Sequence, residues 1–387
     1  MNIALIHNYP LSNTTGGAER TAFKILEYLR VSSFNVVYCT LGTSSNYVFS
    51  EKMANGIKHY HFPKRNPFQD LRGGYQKMLF HIFELFNFVS FLDLWRVTKK
   101  EDFRFIFFHN PRGFSFAIWI CAILRGIPFC LVNHDYYNLC LNSCFFKKNA
   151  GTCRNQCVSC RTFRFIPWLL HFFSDFAIFL SLNQKKIFNA QGWFLGKKAF
   201  IVPPSVDTGR YKPKNAFTHK IGFIGRLDST KGVNDFLLLC KLLKYSDLTF
   251  YIQAFKSDPF LLYYKSKSAD IKNLKWVHKG NLTFLREIDF LVAPSQWEEP
   301  FGRVFLESLS VGTPCIGYRR GAIAEIMTKD LSIFLPRNFE IHSIKEKLLF
   351  FYKNEKNYTF YSRLCIERYK FFRQGFSKAM NSVVSRV

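Results

Sequence analysis

The clearest indication of the fold lies in residues 293–312, Ala293-Pro-Ser-Gln-Trp-Glu-Glu-Pro-Phe-Gly-Arg-Val-Phe-Leu-Glu-Ser-Leu-Ser-Val-Gly312. The apolar run over residues 290–293 predicts a buried strand, and a polar turn follows it. Over residues 302–311 the apolar side chains recur at the spacing of a short buried helix. Strand, turn and helix in this order are the unit from which open α/β sheets are built.

The start of the predicted helix is suited to an anion such as a diphosphate, because the first N–H groups lack helical partners and the dipole is positive there. Two carboxylates, Glu299 and Glu307, stand eight positions apart around that helix start. Carboxylates do not bind an anion, but they accept hydrogen bonds from the hydroxyl groups of a sugar. An ordinary strand–turn–helix with two surface acids is the alternative interpretation.

Glu299-Pro-Phe-Gly, Glu307 and the following Gly312-Thr-Pro-Cys-Ile resemble the Glu-x7-Glu signature of the retaining glycosyltransferases of family 4, of the bacterial surface-polysaccharide type. The resemblance implies an α/β chain with the GT-B fold, in which two Rossmann-like doubly wound parallel-sheet domains face a central cleft. It also implies that the donor is bound by Glu299, Pro300, Phe301, Gly302, Arg303, Val304 and Glu307.

A second motif, Gly225-Arg-Leu-Asp-Ser-Thr-Lys-Gly232, follows another predicted strand. Arg226 and Lys231 are two cations five positions apart across a tight turn, and such a pair can hold a diphosphate from both sides. The resemblance implies the same role for them, with Gly225 beside them. It further implies that the loop around Gly280 lies against the nucleotide base.

The N-terminal half also contains candidate ligand-binding residues, at two positions that follow predicted strands. Gly16-Gly17 lie between a predicted strand and a predicted helix, where the lack of side chains lets a ligand approach the backbone. His134 follows a predicted strand, at the edge where open α/β sheets bind ligands. The resemblance implies that the glycines face the donor diphosphate and the acceptor, and that His134 contacts the donor sugar or the acceptor.

The length of 387 residues suits two domains. We expect an acceptor-binding Rossmann-like domain over 1–207, a linker over 208–217 and a nucleotide-sugar-binding Rossmann-like domain over 218–370. We expect a C-terminal helix over 371–387 that packs back on the first domain.

The formal net charge of +27 favours anionic partners, although a generally basic surface is the alternative. Aromatic-rich segments over 68–100 and 163–173 predict contact with an anionic inner-membrane surface; a pair of core helices is the alternative for the first. We identify no signal peptide and no clean membrane span. These patterns predict a cytoplasmic protein, peripheral on the cytoplasmic face of the inner membrane, with no nucleic-acid partner.

A Cys-rich insert over 140–160 contains five cysteines, including a Cys-x2-Cys pair. Four thiolates can bind zinc tetrahedrally. We predict a structural zinc held by Cys140, Cys153, Cys157 and Cys160, and free thiols in a loop are the alternative.

The candidate catalytic residues are His134, Arg226, Lys231 and Glu299. The sequence contains no Asp-x-Asp to hold Mg²⁺, so we expect catalysis without a cofactor. The predicted function is retaining, metal-independent transfer of a sugar from a UDP- or GDP-sugar to a saccharide or lipid-linked saccharide of bacterial lipopolysaccharide, O-antigen or capsule. The alternatives are a GT-B sugar-nucleotide epimerase, a basic Cys-rich nucleic-acid-binding protein and a non-catalytic membrane scaffold.

Overall fold

The computed structural model describes residues 1–10, 16–42, 50–54, 56–63, 74–147, 151–206, 208–209, 211–335 and 340–387. The chain forms two compact units. The first unit contains Met1–Phe145, Arg154–Pro203 and Phe376–Val387, and the second contains Phe146–Cys153 and Pro204–Gly375. The division after Pro203 lies close to the domain boundary predicted at 207, although Asp207 itself lies outside the described residues.

The first unit is built on an eight-stranded sheet. Its strands are β1 (Asn2–His7), β2 (Asn35–Leu41), β3 (Ser50–Ala54), β4 (Ile57–Phe62), β5 (Phe105–Asn110), β6 (Phe129–Asn133), β9 (Phe176–Phe179) and β10 (Ala199–Ile201). Between β6 and β9 the chain forms a hairpin of β7 (Phe146–Lys147) and β8 (Gly151–Thr152), which belongs to the second unit. The strand order is β10-β9-β6-β5-β1-β2-β4-β3, with every pairing parallel except the antiparallel pair of β3 and β4.

Helices connect the strands of the first sheet, as parallel pairing requires. They are α1 (Gly17–Val31), α2 (Gly74–Leu85), α3 (Phe88–Glu101), α4 (Ala117–Leu124), α5 (Val158–Leu170) and α6 (Leu182–Ala190). The core packs one apolar face of α1 against strand residues such as Leu5 and Phe107. Phe376, Met380 and Val383 from the C-terminal segment belong to the same core.

The second unit is built on a five-stranded sheet of order β13-β12-β11-β14-β15, in which all pairings are parallel. Its strands are β11 (Lys220–Ile224), β12 (Thr249–Gln253), β13 (Leu274–Val277), β14 (Phe290–Val292) and β15 (Cys315–Ile316). Because β11 and β14 are neighbours, the turns that follow them lie at the same edge of the sheet. Those two turns carry the two motifs singled out in the sequence.

The helices of the second unit are α7 (Val233–Leu242), α8 (Leu261–Lys267), α9 (Asn281–Glu287), α10 (Arg303–Ser310), α11 (Ile323–Ile326), α12 (Ile341–Lys353) and α13 (Tyr358–Val384). The sequence predicted a C-terminal helix over 371–387, whereas α13 is one helix of 27 residues that begins at Tyr358. Its residues after Gly375 belong to the first unit. Helix α13 contains no proline. Its one glycine, Gly375, lowers helix stability by only about 1 kcal/mol relative to alanine, so the helix continues through it.

Met78–Glu101 is the one helical stretch among the described residues that is long and apolar enough to cross a membrane by length and composition. Core helices of soluble proteins also meet this criterion, so one such stretch does not by itself indicate a membrane-spanning helix. This stretch contains α2 from Met78 onward and all of α3. Between the two helices, the Asn87 side chain caps α3 by accepting hydrogen bonds from Val89 N and Ser90 N.

Candidate functional site

The turn between β11 and α7 is held against the turn after β14. Gly232 has a φ of +75°, and a Cβ on it would lie 2.0 Å from the carbonyl oxygen of Pro294. Only glycine fits this approach, because other residues are strained at that φ and would also clash with the backbone. The contact brings the preceding residue, Lys231, to the carboxylate of the second motif.

Lys231 and Glu299 form the centre of the site in the second unit. The Lys231 ammonium lies 2.7 Å from Glu299 Oε1 and 4.9 Å from the centre of the Trp297 ring. The Ser295 hydroxyl donates a hydrogen bond of 2.7 Å to the same carboxylate oxygen. Glu299 is buried, so the ammonium and the hydroxyl together offset the cost of burying its charge.

A second ion pair lies on α10. Arg303 Nε lies 3.0 Å from Glu307 Oε1, and Asn281 Nδ2 donates to Glu307 Oε2 at 3.1 Å. The helix begins after Gly302, which has a φ of +79°. Its first turn therefore presents both backbone N–H groups and the Arg303 guanidinium, which is the chemistry that binds a phosphate.

Arg226 is not brought to this cluster. Its Nε lies 3.2 Å from Asp228 Oδ2, and its side chain is 65% exposed. Asp228 also accepts hydrogen bonds from the backbone of Thr230 at 2.9 Å and of Lys231 at 3.3 Å. The sequence predicted that Arg226 and Lys231 hold a diphosphate from both sides. In the structure, Lys231 is paired with Glu299, and Arg226 is exposed on the turn.

The loop 319–322 packs on the backbone of Glu299. Gly321 has a φ of +59°, and a Cβ there would lie 2.3 Å from the Glu299 carbonyl oxygen. Ala322 N donates to that oxygen at 2.9 Å. The lack of a side chain at Gly321 allows this close approach.

The remaining predicted donor residues lie around these contacts. Gly225 follows β11, and a Cβ on it would meet Lys231 Cβ at 3.4 Å. Gly280 precedes α9 as its N-terminal cap residue. Pro300 and Phe301 are buried in the turn before α10, and Val304 is half-buried in its first turn.

Sequence reasoning missed three residues that hold the site: Ser295, Asn281 and Asp228. Ser295 and Asp228 lie inside the quoted motifs. Their polar side chains, in turns predicted to bind a phosphate, could have identified them as site residues. Asn281 had no signal, because its contact with Glu307 joins α9 to α10 and depends on the tertiary packing.

In the first unit, His134 follows β6 and is buried. Its Nε2 lies 2.8 Å from Nδ1 of His109, at the end of β5. Gly16 caps α1, and Gly17 is the first residue of that helix. The loop before them, residues 11–15, lies outside the described residues.

The cysteines of the insert are divided between the units: Cys153 belongs to the second, and Cys140, Cys157 and Cys160 to the first. A hydrogen bond from the Cys160 thiol lowers the pKa of Cys140. Among the residues that the structure describes, no group of three or more His, Cys, Asp or Glu side chains is arranged to hold a metal ion. The zinc site therefore stays a prediction.

Comparisons with known proteins agree with this architecture. Residues 210–363 match the sequence model of the family described as Glycosyl transferases group 1. A Klebsiella pneumoniae protein described as an uncharacterized 42.6 kDa protein in the cps region is 25% identical over 358 residues, covering 89% of this chain and 91% of that protein.

Solved structures match over the full length. Sucrose-phosphate synthase from Thermosynechococcus elongatus superposes with a TM-score of 0.75 at 12% identity, covering 100% of this chain and 98% of that one. Anabaena Alr3699/HepE, solved in complex with UDP and glucose, gives 0.70 at 15% identity with the same coverage. The predicted fold class is confirmed: the protein has the GT-B fold. The match to the group 1 glycosyltransferases lies in residues 210–363, and the protein is a glycosyltransferase.

Proposed function

We propose that the protein is a retaining, metal-independent glycosyltransferase of family 4 that uses a nucleotide-diphosphate sugar. The observation that carries this proposal is the ion pair between half-buried Lys231 and buried Glu299 beside the first turn of α10. It places a cation and helix N–H groups for a diphosphate next to a carboxylate for sugar hydroxyls. UDP and GDP are the proposed nucleotides, and the UDP complex of HepE supports the first.

In the proposed reaction, the bond between the sugar C1 and the diphosphate breaks, and negative charge grows on the departing phosphate. Lys231, Arg226 and the N-terminal turn of α10 stabilise that charge. Glu299 and Glu307 hold hydroxyls of the donor sugar. The acceptor hydroxyl attacks C1 from the face that the diphosphate leaves, and the departing phosphate takes its proton.

The proposed acceptor is a lipid-linked saccharide of a bacterial surface polysaccharide. The Klebsiella relative from a cps region supports a polysaccharide product. A lipid-linked acceptor places the enzyme at the cytoplasmic face of the inner membrane, where it would be peripheral.

An aromatic ladder on the first unit supports that location. Four aromatic rings form a row in which the centres of successive rings are 5.6–6.5 Å apart: Phe86, Phe88, Phe91 and Trp95. Arg125 lies 5.3 Å and Lys99 5.9 Å from the Trp95 ring. Phe86 and Phe88 are exposed, and Phe91 and Trp95 are half-buried. A row of aromatic rings with cations at one end suits the boundary between acyl chains and anionic head groups.

Exposed apolar side chains also line α5 and its C-terminal extension: Phe165, Ile166, Leu169, Phe172 and Phe173. We therefore propose both helical regions for membrane contact. Replacing Phe88 and Phe165 together by serine should reduce sedimentation with vesicles containing anionic lipid, whereas Leu262→Ser, an exposed leucine of the second unit, should not. Equal sedimentation of both variants and the unchanged protein would contradict membrane contact here.

A structural zinc on Cys140, Cys153, Cys157 and Cys160 is proposed as a separate property. Metal analysis of the purified protein should give one zinc per chain, and Cys157→Ser should remove it. Protein purified without zinc that unfolds at the same temperature as zinc-loaded protein would contradict a structural role.

The function itself is tested by screening UDP-, GDP- and ADP-sugars for hydrolysis and for thermal protection of the protein. The proposal expects one nucleotide class to protect the protein and to be hydrolysed slowly without acceptor. Absence of protection by every nucleotide sugar would contradict it, and turnover to an isomeric sugar nucleotide would favour an epimerase.

A further inference from the structure

Three histidines lie at the carboxyl edge of the first sheet, on three neighbouring strands. His7 ends β1, His109 lies at the end of β5, and His134 follows β6. Their ring centres are 5.0 Å apart for His109 and His134, 6.0 Å for His7 and His109, and 5.9 Å for His7 and His134. In open α/β sheets this edge is where ligands bind.

All three imidazoles are neutral near pH 7. Burial lowers the pKa of His7 to about 4. Burial first, and then the nearby His7 ring, lower the pKa of His134 to about 3. The pKa of His109 is lowered in the same direction by burial and by both neighbouring rings. A neutral imidazole has one donor nitrogen and one acceptor nitrogen.

The contacts within the cluster assign part of the proton positions. His7 Nδ1 accepts a hydrogen bond of 3.1 Å from Tyr9 N, so its proton lies on Nε2. His109 Nδ1 and His134 Nε2 are 2.8 Å apart and share one proton. If His109 donates it, His134 carries its proton on Nδ1 and His109 Nε2 is an acceptor. If His134 donates it, these two roles are exchanged.

In either arrangement the outer nitrogens of the pair present one donor and one acceptor. His7 Nε2–H adds a second donor. The outer nitrogens, His7 Nε2, His109 Nε2 and His134 Nδ1, are buried and have no hydrogen-bond partner among the protein groups that the structure describes. A buried polar atom without a partner costs about 1–3 kcal/mol, so this arrangement favours a ligand that both donates and accepts.

Sugar hydroxyls have this property, since each donates one hydrogen bond and accepts others. A phosphate is less suitable because it needs cationic or donor-only partners, and the rings here are neutral.

We propose that His7, His109 and His134 form a subsite for neutral hydroxyl groups of a saccharide. The inference rests on the proposed function and extends it from His134 to two residues that sequence reasoning did not identify as site residues. Hydroxyls of the acceptor and of the donor sugar share this chemistry, and kinetics distinguish the two sources.

The first test uses protein labelled with ¹⁵N in its histidines. Methyl α-glucoside, methyl α-galactoside and methyl α-mannoside are added in turn, and inorganic phosphate and zinc chloride serve as comparison probes. At least one glycoside should shift the outer nitrogens of the three neutral rings while phosphate and zinc leave them unchanged. Shifts with phosphate or zinc alone, or with no probe at all, would overturn the proposal.

The second test compares His109→Asn with His109→Phe. The asparagine amide can reach His134 as Nδ1 does but lacks the outer nitrogen, and phenylalanine lacks both. Each should weaken saccharide binding by about three- to tenfold, the value of one hydrogen bond, with the unfolding temperature of His109→Asn near that of the unchanged protein. A rise in KM for the acceptor alone assigns the acceptor as the source, and a rise for the nucleotide sugar alone assigns the donor.

Nucleotide binding separates this inference from the proposed function. If UDP and GDP still protect His109→Asn while saccharide binding is unchanged, the subsite is wrong and the proposed function stands. If no nucleotide protects the unchanged protein, the proposed function fails first.

Discussion

The carboxyl edges of the two sheets differ in how they compensate buried polar groups. In the first unit, His7, His109 and His134 are neutral rings that face one another. In the second unit, Lys231 pairs with Glu299 and Arg303 with Glu307, so each buried carboxylate is paired with a half-buried cation. The same type of parallel sheet therefore offers hydrogen bonds without charge at one edge and paired charges at the other, which suits a neutral saccharide and a diphosphate respectively.

The carboxyl edge of the second sheet, with Lys231, Glu299, Arg303 and Glu307, is called the charged edge. The largest effect is expected when the Lys231 ammonium group is removed from it. Lys231→Met should lower kcat/KM for the nucleotide sugar by about 10²–10³-fold, because one preorganised group that stabilises developing charge has this value. Steady-state transfer or hydrolysis assays measure it. Lys241→Met, which removes a half-exposed lysine of α7, is the control and should change little. Similar rates for both variants would show that the leaving diphosphate does not contact Lys231.

The next effect concerns the contact that holds the two motifs together. Gly232→Ala places a Cβ against the Pro294 carbonyl oxygen at a φ of +75°, so we expect a loss of about 3 kcal/mol in the free energy of unfolding. Denaturant unfolding measures it. Gly209→Ala meets nothing within 4 Å and serves as the control. A change below about 0.5 kcal/mol at Gly232 would mean that the two turns are not in this contact.

The carboxyl edge of the first sheet, with the neutral rings of His7, His109 and His134, is called the neutral edge. Its buried histidines predict that the free energy of unfolding falls in acid. Because the pKa of His7 is lowered from 6.5 to about 4 in the folded protein, the unfolded chain binds more protons between those values. Its contribution to stability is complete above pH 6.5 and is lost as the pH falls, by about 1.4 kcal/mol per pH unit. His109 and His134 add to the slope in the same direction, because burial lowers their pKa values as well. Unfolding measured from pH 7 to pH 5 should therefore show a smaller slope in His7→Phe than in the unchanged protein, by up to about 1.4 kcal/mol per pH unit. An equal slope in the variant would contradict a buried neutral His7.

The smallest effect is expected at the second ion pair. Arg303→Met leaves Glu307 with the Asn281 amide and should raise KM for the nucleotide sugar about fivefold, the value of one hydrogen bond. kcat should change less than KM, because this contact lies on the bound donor and not on the breaking bond. An unchanged KM would remove Arg303 and Glu307 from the donor site.

The charged edge was more predictable from sequence than the neutral edge. Lys231 and Glu299 lie in local strand–turn–helix motifs, so glycine positions, cations and carboxylates within about ten residues indicated the site. The contact between His109 and His134 depends on β5 and β6 being neighbours in the sheet, and the position of His7 depends on β1 lying next to β5. Strand order is a long-range property that the local pattern does not contain.

The same reasoning explains two smaller differences. The orientation of Arg226 toward Asp228 is a side-chain choice within an exposed turn, and both residues were visible in the motif without fixing their pairing. The insert at 140–160 was expected to belong entirely to the first domain, yet its hairpin lies in the second unit, where Arg320 Nη1 donates to Thr152 Oγ1 at 3.2 Å. A contact across 168 residues of sequence has no local signal.

The most direct test is calorimetric titration of UDP and GDP into the unchanged protein, Lys231→Met and His109→Asn. The charged edge should bind the diphosphate, so we predict that Lys231→Met weakens the affinity for the bound nucleotide at least tenfold and that His109→Asn leaves it unchanged. Weakening by His109→Asn with full affinity in Lys231→Met would contradict the assignment of the two edges.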